Sequence, residues 1–393
     1  MSNNKNILYL SGLHDPRFSR TGGEQRSQLL WKALQKHGNV YVIVLSWGEW
    51  DNIGDIRVKN VDICNVNPTN AVKNSFLKKV IRRINQKCVR MCDVSFFTLK
   101  DLLDLNTLFP TVKFDVVVCR YISTLNFLNP FKLNIPVYID VDDNPVSVFD
   151  TLRRQQLGLN HFSALIWRGI LQIELFYLSF KWQGIWVSNS TDLGRVGIKK
   201  KEVLLENIPF NVTPIGRSEA NVNVLITVAT LNHPPNQYGI NSFLEEIWPK
   251  VITKYPNLEY WIIGRGKPLP EWGKNRNVKI FCNVPDLSEF YRKCLAAVVP
   301  IYTGAGTCIK TLEALAFGRV CLSTPFGARG FEKKEPCDAL KIYNNSEQFL
   351  DKLSVIIDRA DKRHTLENIA EQYMNKNNSI KSFNESVSKL IES

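Results

Sequence analysis

The chain has 393 residues, of which 44% are hydrophobic and 22% are charged. That is the composition of a globular protein, and it excludes a wholly disordered, collagen-like or disulfide-stapled chain. The formal net charge of +13 favours anionic partners, such as phosphorylated small molecules, nucleic acid or an anionic membrane surface, without choosing among them.

The first half of the chain alternates short apolar runs with helical patterns. Near-continuous runs of Val and Ile are typical of strands that are buried on both faces of a parallel sheet. The stretch 25–37, between the first two runs, instead repeats its Leu and Ala residues at helical spacing. We therefore predict strands at 7–10, 40–45, 114–119, 136–141 and 184–188.

Residues 76–91, FLKKVIRRINQKCVRM, combine apolar residues at helical spacing with six basic side chains. A basic amphipathic helix of this kind is typical of a contact with an anionic membrane surface. An ordinary helix that packs on a sheet and turns its basic face to solvent has the same pattern. The sequence leaves both interpretations open.

The alternation is interrupted at 207–223, which carries two prolines and a glycine among polar residues. Clusters of this kind mark loops between periodic segments, so we predict an interdomain linker here. The linker would separate an N-terminal domain at 1–206 from a C-terminal domain at 224–370, and residues 371–393 would form a helical tail.

The second half repeats the alternation of apolar runs and helical patterns. Helices are predicted at 240–254 and 308–317 from the spacing of their apolar residues. Strands that alternate with helices predict doubly wound α/β domains, so we expect two Rossmann-like domains that face a cleft. In this half we predict strands at 224–228, 260–263, 278–281, 297–301 and 320–323.

The cysteines and the apolar stretches restrict the compartment. The nine Cys residues are an odd number and no CxxC pair occurs, so zinc-ribbon spacing is absent. The stretch 162–180 is interrupted by Arg168 and Glu174, which favours a buried helix over a membrane span. We predict a reduced, cytoplasmic protein that is peripheral at the inner face of the membrane if residues 76–91 make their contact.

A small-residue loop in the second half carries the most chemical information. In 298–317, VVPIYTGAGTCIKTLEALAF, a predicted strand leads through this loop into a predicted helix. Ligands of open α/β sheets sit at the carboxyl ends of the strands, and Gly304 and Gly306 let the backbone approach a ligand closely. Because the amides at a helix start attract phosphate, the loop is a candidate phosphate site.

Two charged residues follow the loop on the helix. Lys310, in the first turn, adds a positive charge toward an anion, and Glu313 lies three residues further on nearly the same face. A carboxylate at that position accepts hydrogen bonds from sugar hydroxyls. A tight strand–helix turn with a Lys–Glu pair in solvent has the same residues, so the pattern alone leaves both interpretations open.

The stretch GAGTCIKTLEALAFGRVCLSTPFGARGF resembles the C-terminal signature of retaining GT-B glycosyltransferases of family 4, in the branch with a GxGT loop. The similarity extends over 220–335, where Asn236 matches a Pro-Asn pair and 247–264 matches the same branch. The N-terminal half resembles the family more loosely, through TGGEQR at 21–26. The resemblance implies an α/β GT-B fold and transfer of a sugar from a nucleotide-diphosphate donor with retention of configuration.

The resemblance also implies roles for residues of the second half. Glu313 falls on the second of two glutamates that many relatives carry, and it would contact ribose or sugar hydroxyls, whereas the first falls on Ala305 and is missing. Relatives often carry an Arg and a Lys after the domain's first strand. ATLNHPPN has neither, so Arg265 and Lys310 are the expected replacements. The residues expected to bind the donor diphosphate in this half are Gly304, Gly306, Thr307, Lys310 and Arg265.

In the first half, Gly22 and Gly23 occupy a loop that in the family approaches the donor diphosphate, and Arg26 would reach a phosphate. Asp142 and Asp143 align with a His-Asp pair that relatives carry near the acceptor. We expect Asp142 to orient the acceptor hydroxyl or to act as a weak base. Acidic residues at this edge also suit Mg²⁺ or simply face solvent, but GT-B enzymes do not usually need a bound metal, so none is predicted.

We expect a hexosyltransferase-type enzyme that gives the sugar to a hydroxyl of a lipid-linked glycan, as in bacterial polysaccharide biosynthesis. The donor is a co-substrate and no cofactor is predicted; the expected catalytic residues are Glu313, Asp142 and Lys310. Nucleic acid is not expected as a partner, because RNP, KH, zinc-finger and helix-turn-helix signatures are absent. Two alternatives stay open: a GT-B nucleotide-sugar epimerase, and a non-catalytic protein that binds sugar nucleotides.

Overall fold

The computed structural model divides the chain into two compact units. The first comprises Met1–Glu206 with Ile380–Ser393, and the second comprises Asn207–Ser379. The segment 207–223 is therefore part of the second unit, and the end of the segment 371–393 is part of the first. The structure describes residues 5–19, 21–46, 56–62, 103, 105–128, 134–142, 144–147, 149–150, 161–196, 201–209, 212–219, 223–303, 307–331, 336–377 and 379–392.

A parallel sheet forms the centre of the first unit. Its strands are β1 (Lys5–Gly12), β2 (Gly38–Ser46), β3 (Val58–Asp62), β4 (Val116–Arg120), β5 (Val137–Val141), β6 (Gly184–Val187) and β7 (Lys201–Leu204). They are hydrogen-bonded in the order β3-β2-β1-β4-β5-β6-β7. Because all neighbours run in parallel, the carboxyl ends of the strands lie at one edge of the sheet.

A second parallel sheet forms the centre of the second unit. Its strands are β8 (Val224–Thr230), β9 (Glu259–Arg265), β10 (Val278–Cys282), β11 (Ala296–Val299), β12 (Cys321–Ser323) and β13 (Leu340–Ile342). The order is β10-β9-β8-β11-β12-β13, so the chain winds in both directions from β8. Both units are thus Rossmann-like in the residues that the structure describes.

The helices lie between the strands and after them. They are α1 (Gly22–Leu34), α2 (Leu105–Leu108), α3 (Ile122–Leu125), α4 (His161–Ser179), α5 (Pro234–Glu246), α6 (Trp248–Lys254), α7 (Ser288–Arg292), α8 (Ile309–Ala316), α9 (Ser346–Asp358), α10 (Ala360–Asn377) and α11 (Ile380–Ile391).

Alternate residues of the central strand β1 face the two layers of helices. Leu8 and Leu10 belong to the same apolar cluster as the buried residues Leu171 and Leu175 of α4. Tyr9 points the other way, and its hydroxyl donates a hydrogen bond to the Ser27 carbonyl of α1 over 3.3 Å. The sheet is therefore buried on both faces, as the near-continuous apolar pattern of β1 requires.

The last helix, α11, packs on the first unit. The Trp186 indole N–H of β6 donates to the Ser386 carbonyl over 3.0 Å, and Lys5 Nζ of β1 donates to the Ile391 carbonyl over 3.0 Å. Phe383 and Val387, one helical turn apart, are buried. The chain terminus thus fills the layer beside α1 rather than forming a tail.

In the second unit, α5 approaches the end of β11 so closely that only glycine fits. A methyl group on Gly239 would lie 1.7 Å from the Pro300 carbonyl oxygen. Gly239→Ala is therefore expected to lower the free energy of unfolding by about 3 kcal/mol, the upper end of overpacking effects. Gly169→Ala in α4 is the matched control, since no atom lies within 4 Å of the added methyl.

The control is expected to stabilise the protein by about 0.5–1 kcal/mol, because alanine loses less backbone entropy in a helix than glycine. Urea unfolding followed by circular dichroism measures both changes. Equal effects of the two substitutions would contradict the close approach of α5.

Candidate functional site

Three loops converge at the carboxyl edge of the second unit's sheet. Leu231 N donates to the Arg265 carbonyl over 2.7 Å, so the chain segments that leave β8 and β9 run side by side. A methyl group on Gly266, which has φ +93°, would lie 2.4 Å from Asn232 Oδ1. Glycine is required at this position by both its backbone conformation and the close approach of Asn232.

A side-chain hydrogen bond holds the turn between β8 and α5. The buried Asn236 donates through Nδ2 to the Thr230 carbonyl over 2.8 Å. His233 stands at the start of α5 without forming a side-chain cap. Burial lowers the pKa of His233, and the positive charge of Lys310 lowers it further.

The residue before α8 does not cap the helix with its side chain, whereas the start of α1 has a side-chain cap. Cys308, the residue before α8, makes no capping hydrogen bond with its side chain. Lys310 lies in the first turn and is partly exposed. Uncapped first-turn amides next to a cation favour the binding of an anion.

Two threonines connect α8 to the loop that follows β12. Thr311 Oγ1 donates to the Gly327 carbonyl over 2.6 Å. A methyl group on Gly330 would lie 2.6 Å from Thr307 Oγ1. Thr307, which is predicted to bind the donor diphosphate, therefore lies beside the start of α8. Gly304 and Gly306 lie outside the described residues.

Glu313 is held on α8 by a tyrosine. The Tyr291 hydroxyl donates to Glu313 Oε1 over 3.0 Å, and the Tyr291 ring stacks on Phe317 at 4.3 Å. Burial raises the pKa of Glu313, while the hydrogen bond from Tyr291 and the charge of Lys310 lower it. Oε2 has no hydrogen bond within the part of the chain that the structure describes. The carboxyl is thus oriented and keeps acceptor capacity.

Arg265 ends β9 with an exposed side chain. Its backbone is hydrogen-bonded to the turn that follows β8, and β8 is the parallel neighbour of β11, the strand that precedes Lys310 in the chain. Arg265 therefore stands at the same edge as Lys310. The structure therefore brings Arg265, Thr307, Lys310 and Glu313, four of the predicted residues, to the carboxyl edge of one sheet.

The corresponding edge of the first unit differs at its helix start. Thr21 and Glu24 form a complete capping box, in which each side chain accepts a hydrogen bond from the other's backbone N–H. A methyl group on Gly23 would lie 2.4 Å from the His14 ring. The capping box thus provides hydrogen-bond acceptors for some of the backbone N–H groups at the start of α1. A contact of Gly22 and Gly23 with the donor diphosphate stays a prediction.

Arg26 does not reach a phosphate. The Arg26 side chain is buried and forms a bidentate pair with Asp140, with Nε to Oδ2 at 2.9 Å and Nη2 to Oδ1 at 2.5 Å. Its Nη1 donates to the Leu205 carbonyl over 2.9 Å. The expectation of a phosphate contact was wrong, because the buried guanidinium is hydrogen-bonded to Asp140 and to the Leu205 carbonyl.

Asp142 belongs to the same buried cluster. Arg120 Nη2 donates to Asp142 Oδ2 over 2.7 Å, and Arg120 Nη1 donates to Asp140 Oδ2 over 3.3 Å. Asp142 Oδ1 lies 3.6 Å from Arg26 Nε. Both oxygens of Asp142 thus face guanidinium groups. Its predicted role in orienting an acceptor stays a prediction.

His14, which follows β1 at this edge, is not among the residues predicted from the sequence. Burial and then the charge of Arg120 lower the pKa of His14 to about 4, against smaller opposite effects of Asp142 and Glu24. Its ring lies 5.8 Å from that of Tyr121. Within the described residues the ring has no hydrogen-bond partner. The position of His14 shortly after the first predicted strand could have indicated it from the sequence, because ligands of α/β sheets sit at the carboxyl ends of the strands.

The lowered pKa of His14 predicts a pH dependence of stability. Between about pH 6.5 and 4 the unfolded chain binds a proton at this residue and the folded chain does not, so the free energy of unfolding falls as the pH falls. His14→Gln is expected to flatten this part of the curve. Urea unfolding of both proteins across the range measures the difference, and identical slopes would show that His14 is not the group responsible.

The metal alternative and the basic amphipathic helix both involve residues that the structure does not describe. Among the described residues no group of three or more His, Cys, Asp or Glu side chains is placed to hold a metal, while Asp143 and residues 76–91 lie outside them. Of the described helices, none is long and apolar enough to cross a membrane.

One family model matches a large part of the second unit. Residues 222–359 match the family model of glycosyl transferases group 1. This range contains the whole edge built from Arg265, Lys310 and Glu313. No curated protein sequence matches the chain.

Solved structures match the chain over almost its whole length. Sucrose-phosphate synthase from Thermosynechococcus elongatus has 12% identity, covers 99% of this chain and 98% of its own, and gives a TM-score of 0.69. An E. coli structure described as trehalose-6-phosphate bound with UDP-2-fluoro glucose has 12% identity, 97% coverage of both chains and a TM-score of 0.63. A TarM variant from S. aureus has 11% identity, covers 99% and 100%, and gives 0.63.

The chain has the GT-B fold, which confirms the predicted α/β architecture of two Rossmann-like domains. The glycosyl transferases group 1 match places it, as predicted, in the class of glycosyltransferases.

Proposed function

We propose that the protein transfers a sugar from a nucleotide-diphosphate donor to a hydroxyl of a glycan acceptor with retention of configuration, as resemblance to family 4 implies. The observation that carries the proposal is the carboxyl edge of the second sheet. There an uncapped helix start, Lys310 and an oriented Glu313 lie together inside the range that matches the glycosyltransferase model.

The donor diphosphate would bind at the start of α8. The first-turn amides and the partial positive charge of the helix start attract its oxygens, and Lys310 supplies a full charge. Arg265 supplies a second charge from the end of β9. Glu313 Oε2 would accept a hydrogen bond from a ribose or sugar hydroxyl, because Oε1 is already bound to Tyr291.

The same groups stabilise the leaving group. As the bond between the anomeric carbon and the phosphate oxygen breaks, negative charge develops on the diphosphate, and preorganised amides and cations stabilise it. The acceptor oxygen attacks from the face that the diphosphate leaves, and the departing phosphate oxygen takes the acceptor's proton. Retention follows without a protein nucleophile.

The ligands of the structural neighbours support this choice of substrates. The E. coli neighbour is bound with UDP-2-fluoro glucose, and the TarM variant is in complex with fondaparinux, α-GlcNAc-glycerol and UDP. We extend the proposal to a lipid-linked acceptor in polysaccharide biosynthesis at the cytoplasmic face of a membrane. The basic segment 76–91 supports this extension through its charge and spacing.

A donor screen tests the proposal. The protein is incubated with UDP-, GDP-, dTDP- and CMP-sugars and a panel of glycosides, and products are analysed by mass spectrometry and proton NMR. The expected result is one donor whose sugar is transferred with the anomeric configuration of the donor. A product with inverted configuration would contradict the retaining mechanism.

The screen also separates the alternative functions. An epimerase would release an altered free sugar or sugar nucleotide without needing an acceptor. A binding protein would show saturable binding of a sugar nucleotide by calorimetry with no turnover for any acceptor.

A further inference from the structure

The ring of His14 is held at the carboxyl edge of the first unit's sheet, shortly after β1. A methyl group on Gly23 would lie 2.4 Å from this ring, so the ring occupies the space that glycine leaves at the start of α1. The ring of Tyr121, the residue after β4, lies 5.8 Å from it, centre to centre. An imidazole packed beside a helix start and an aromatic ring is oriented before a ligand arrives.

Tyr121 has a backbone conformation that its residue type rarely adopts. Its φ of +66° lies in the left-handed region, where a residue other than glycine persists only when its surroundings fix it. The Tyr121 N–H donates to the Asp140 carbonyl over 2.9 Å, and the Tyr121 hydroxyl accepts from Arg120 Nη2 over 2.9 Å. Residues in such conformations cluster at ligand-binding positions, and here the conformation places a half-buried aromatic ring beside His14.

The charges next to His14 are balanced within the protein. Arg120 donates to Asp142 over 2.7 Å and to Asp140 over 3.3 Å, and Arg26 is paired with Asp140. Two guanidinium groups thus face two carboxylates, and all four side chains are buried. The second unit's edge instead presents cations to a ligand. At the first unit's edge, hydrogen bonding rather than net charge would therefore select the ligand.

The His14 ring is uncharged near neutral pH. Burial and the charge of Arg120 lower the pKa of His14 to about 4, against smaller opposite effects of Asp142 and Glu24. A neutral imidazole offers one N–H donor and one nitrogen acceptor, and neither nitrogen has a partner within the described residues. Hydroxyl groups both donate and accept, so they complement this ring. An aromatic ring next to such a group suits the apolar C–H face of a sugar.

We propose that His14 and Tyr121 form a subsite for an uncharged sugar residue of the acceptor. One hydroxyl of the sugar bonds to the His14 ring, and the Tyr121 ring packs against the sugar's apolar face. His14 thereby offers a partner to a hydroxyl, whereas both oxygens of Asp142 face guanidinium groups. The acceptor role of this sugar rests on the proposed function, but the binding of a neutral sugar beside His14 does not.

Histidine NMR tests sugar binding without a donor. The chain has five His residues, so isotope labelling of the histidine rings gives few signals, and the His14 signal is the one missing from His14→Gln. Full-length protein is titrated with methyl glycosides of glucose, galactose, mannose and N-acetylglucosamine, and with methyl glucuronide and methyl galacturonide as charged probes. At least one neutral glycoside is expected to shift the His14 signal saturably. The uronides are expected to bind at least about tenfold more weakly, because their carboxylate loses hydration without gaining a cation.

The outcomes of the titration separate the subsite from the reaction. A His14 signal that no neutral glycoside shifts overturns the subsite, and equal affinities for neutral and charged glycosides overturn its selectivity for an uncharged sugar. A shifted His14 signal in a protein that transfers no sugar to any acceptor would support the sugar site and contradict the proposed function.

Transfer kinetics test the acceptor role. His14→Ala is expected to raise the acceptor KM about tenfold, the effect of losing hydrogen bonds to a substrate, and to leave the donor KM unchanged. His14→Gln is expected to recover part of this loss, because an amide also donates and accepts. Circular dichroism confirms that both variants are folded.

His37→Ala is the matched control. His37 follows the other end of α1, where its Nε2 lies 3.1 Å from Ser388 Oγ. Both KM values of the control are expected to stay within about twofold of those of the unchanged protein, as for substitutions away from a site. Equal acceptor KM values for His14→Ala and His37→Ala would overturn the acceptor role of the subsite.

Discussion

Replacing Asp140 by Asn is expected to lower the free energy of unfolding by about 3–5 kcal/mol, the range for a buried ion pair that loses one partner. Asp140 is fully buried and accepts hydrogen bonds from the guanidinium groups of Arg26 and Arg120. Asparagine keeps the shape but not the charge, so two buried cations lose the carboxylate between them. Chemical unfolding monitored by circular dichroism measures the change.

Asp150→Asn is the matched control for this substitution. Asp150 is paired with Arg168 at 3.2 Å, but both side chains are more than a third exposed. Surface pairs contribute only about 0–1 kcal/mol, because solvent screens the charges. Similar effects of the two Asp→Asn substitutions would contradict a stabilising role of the buried ion pairs of Asp140.

Replacing Lys310 by Ala is expected to lower kcat/KM by about 10²–10³-fold, the effect of removing one group that stabilises charge in a transition state. Lys310 stands in the first turn of α8, where the side chain of Cys308 does not cap the amides. The ammonium group would oppose the charge that develops on the diphosphate, so the loss should fall on kcat as well as on KM. Steady-state assays with the donor found by screening measure both constants.

Lys250→Ala on α6 is the control. Its ammonium group is exposed, and it donates to Ser346 Oγ over 2.7 Å, away from the loops of the carboxyl edge. The control is expected to keep kcat/KM within about twofold, because it removes the same charge from the protein but not from the site. Equal losses in the two variants would mean that overall charge, rather than the position of Lys310, matters.

The sheet centres could be predicted from the sequence and some sheet edges could not. The predicted runs match β1, β2, β4, β5 and β6 in the first unit and β8 to β12 in the second. The strands that were not predicted are β3, β7 and β13, and each lies at an edge. Edge strands are short and carry polar residues such as Lys59 and Lys201, which protect an exposed edge and remove the continuous apolar signal.

The ion pairs of Arg26 and Arg120 with Asp140 could not be predicted from the sequence, for a different reason. Arg26 and Asp140 are 114 positions apart in the chain, and their meeting depends on the order of β1, β4 and β5 in the sheet. A basic residue in the first turns of a helix and an acidic residue at a strand end both have functional interpretations. Only the packing shows that they neutralise each other.

The second unit's edge was more predictable because its signals are local. The loop, Lys310 and Glu313 lie within ten residues of one another, so the strand–helix pattern was enough to place them together. The bond from Tyr291 to Glu313 was not predictable, since Tyr291 comes from the short helix α7 and its hydroxyl reaches the carboxyl through the packing of α8.

The most direct measurement is a crystal structure of the protein with the nucleoside diphosphate that binds most tightly in the donor screen. The diphosphate oxygens are expected at hydrogen-bond distance, about 2.7–3.2 Å, from the first-turn amides of α8 and from Lys310 Nζ, with the ribose near Glu313. A diphosphate that binds elsewhere, with the start of α8 in contact with solvent only, would contradict the proposed donor site.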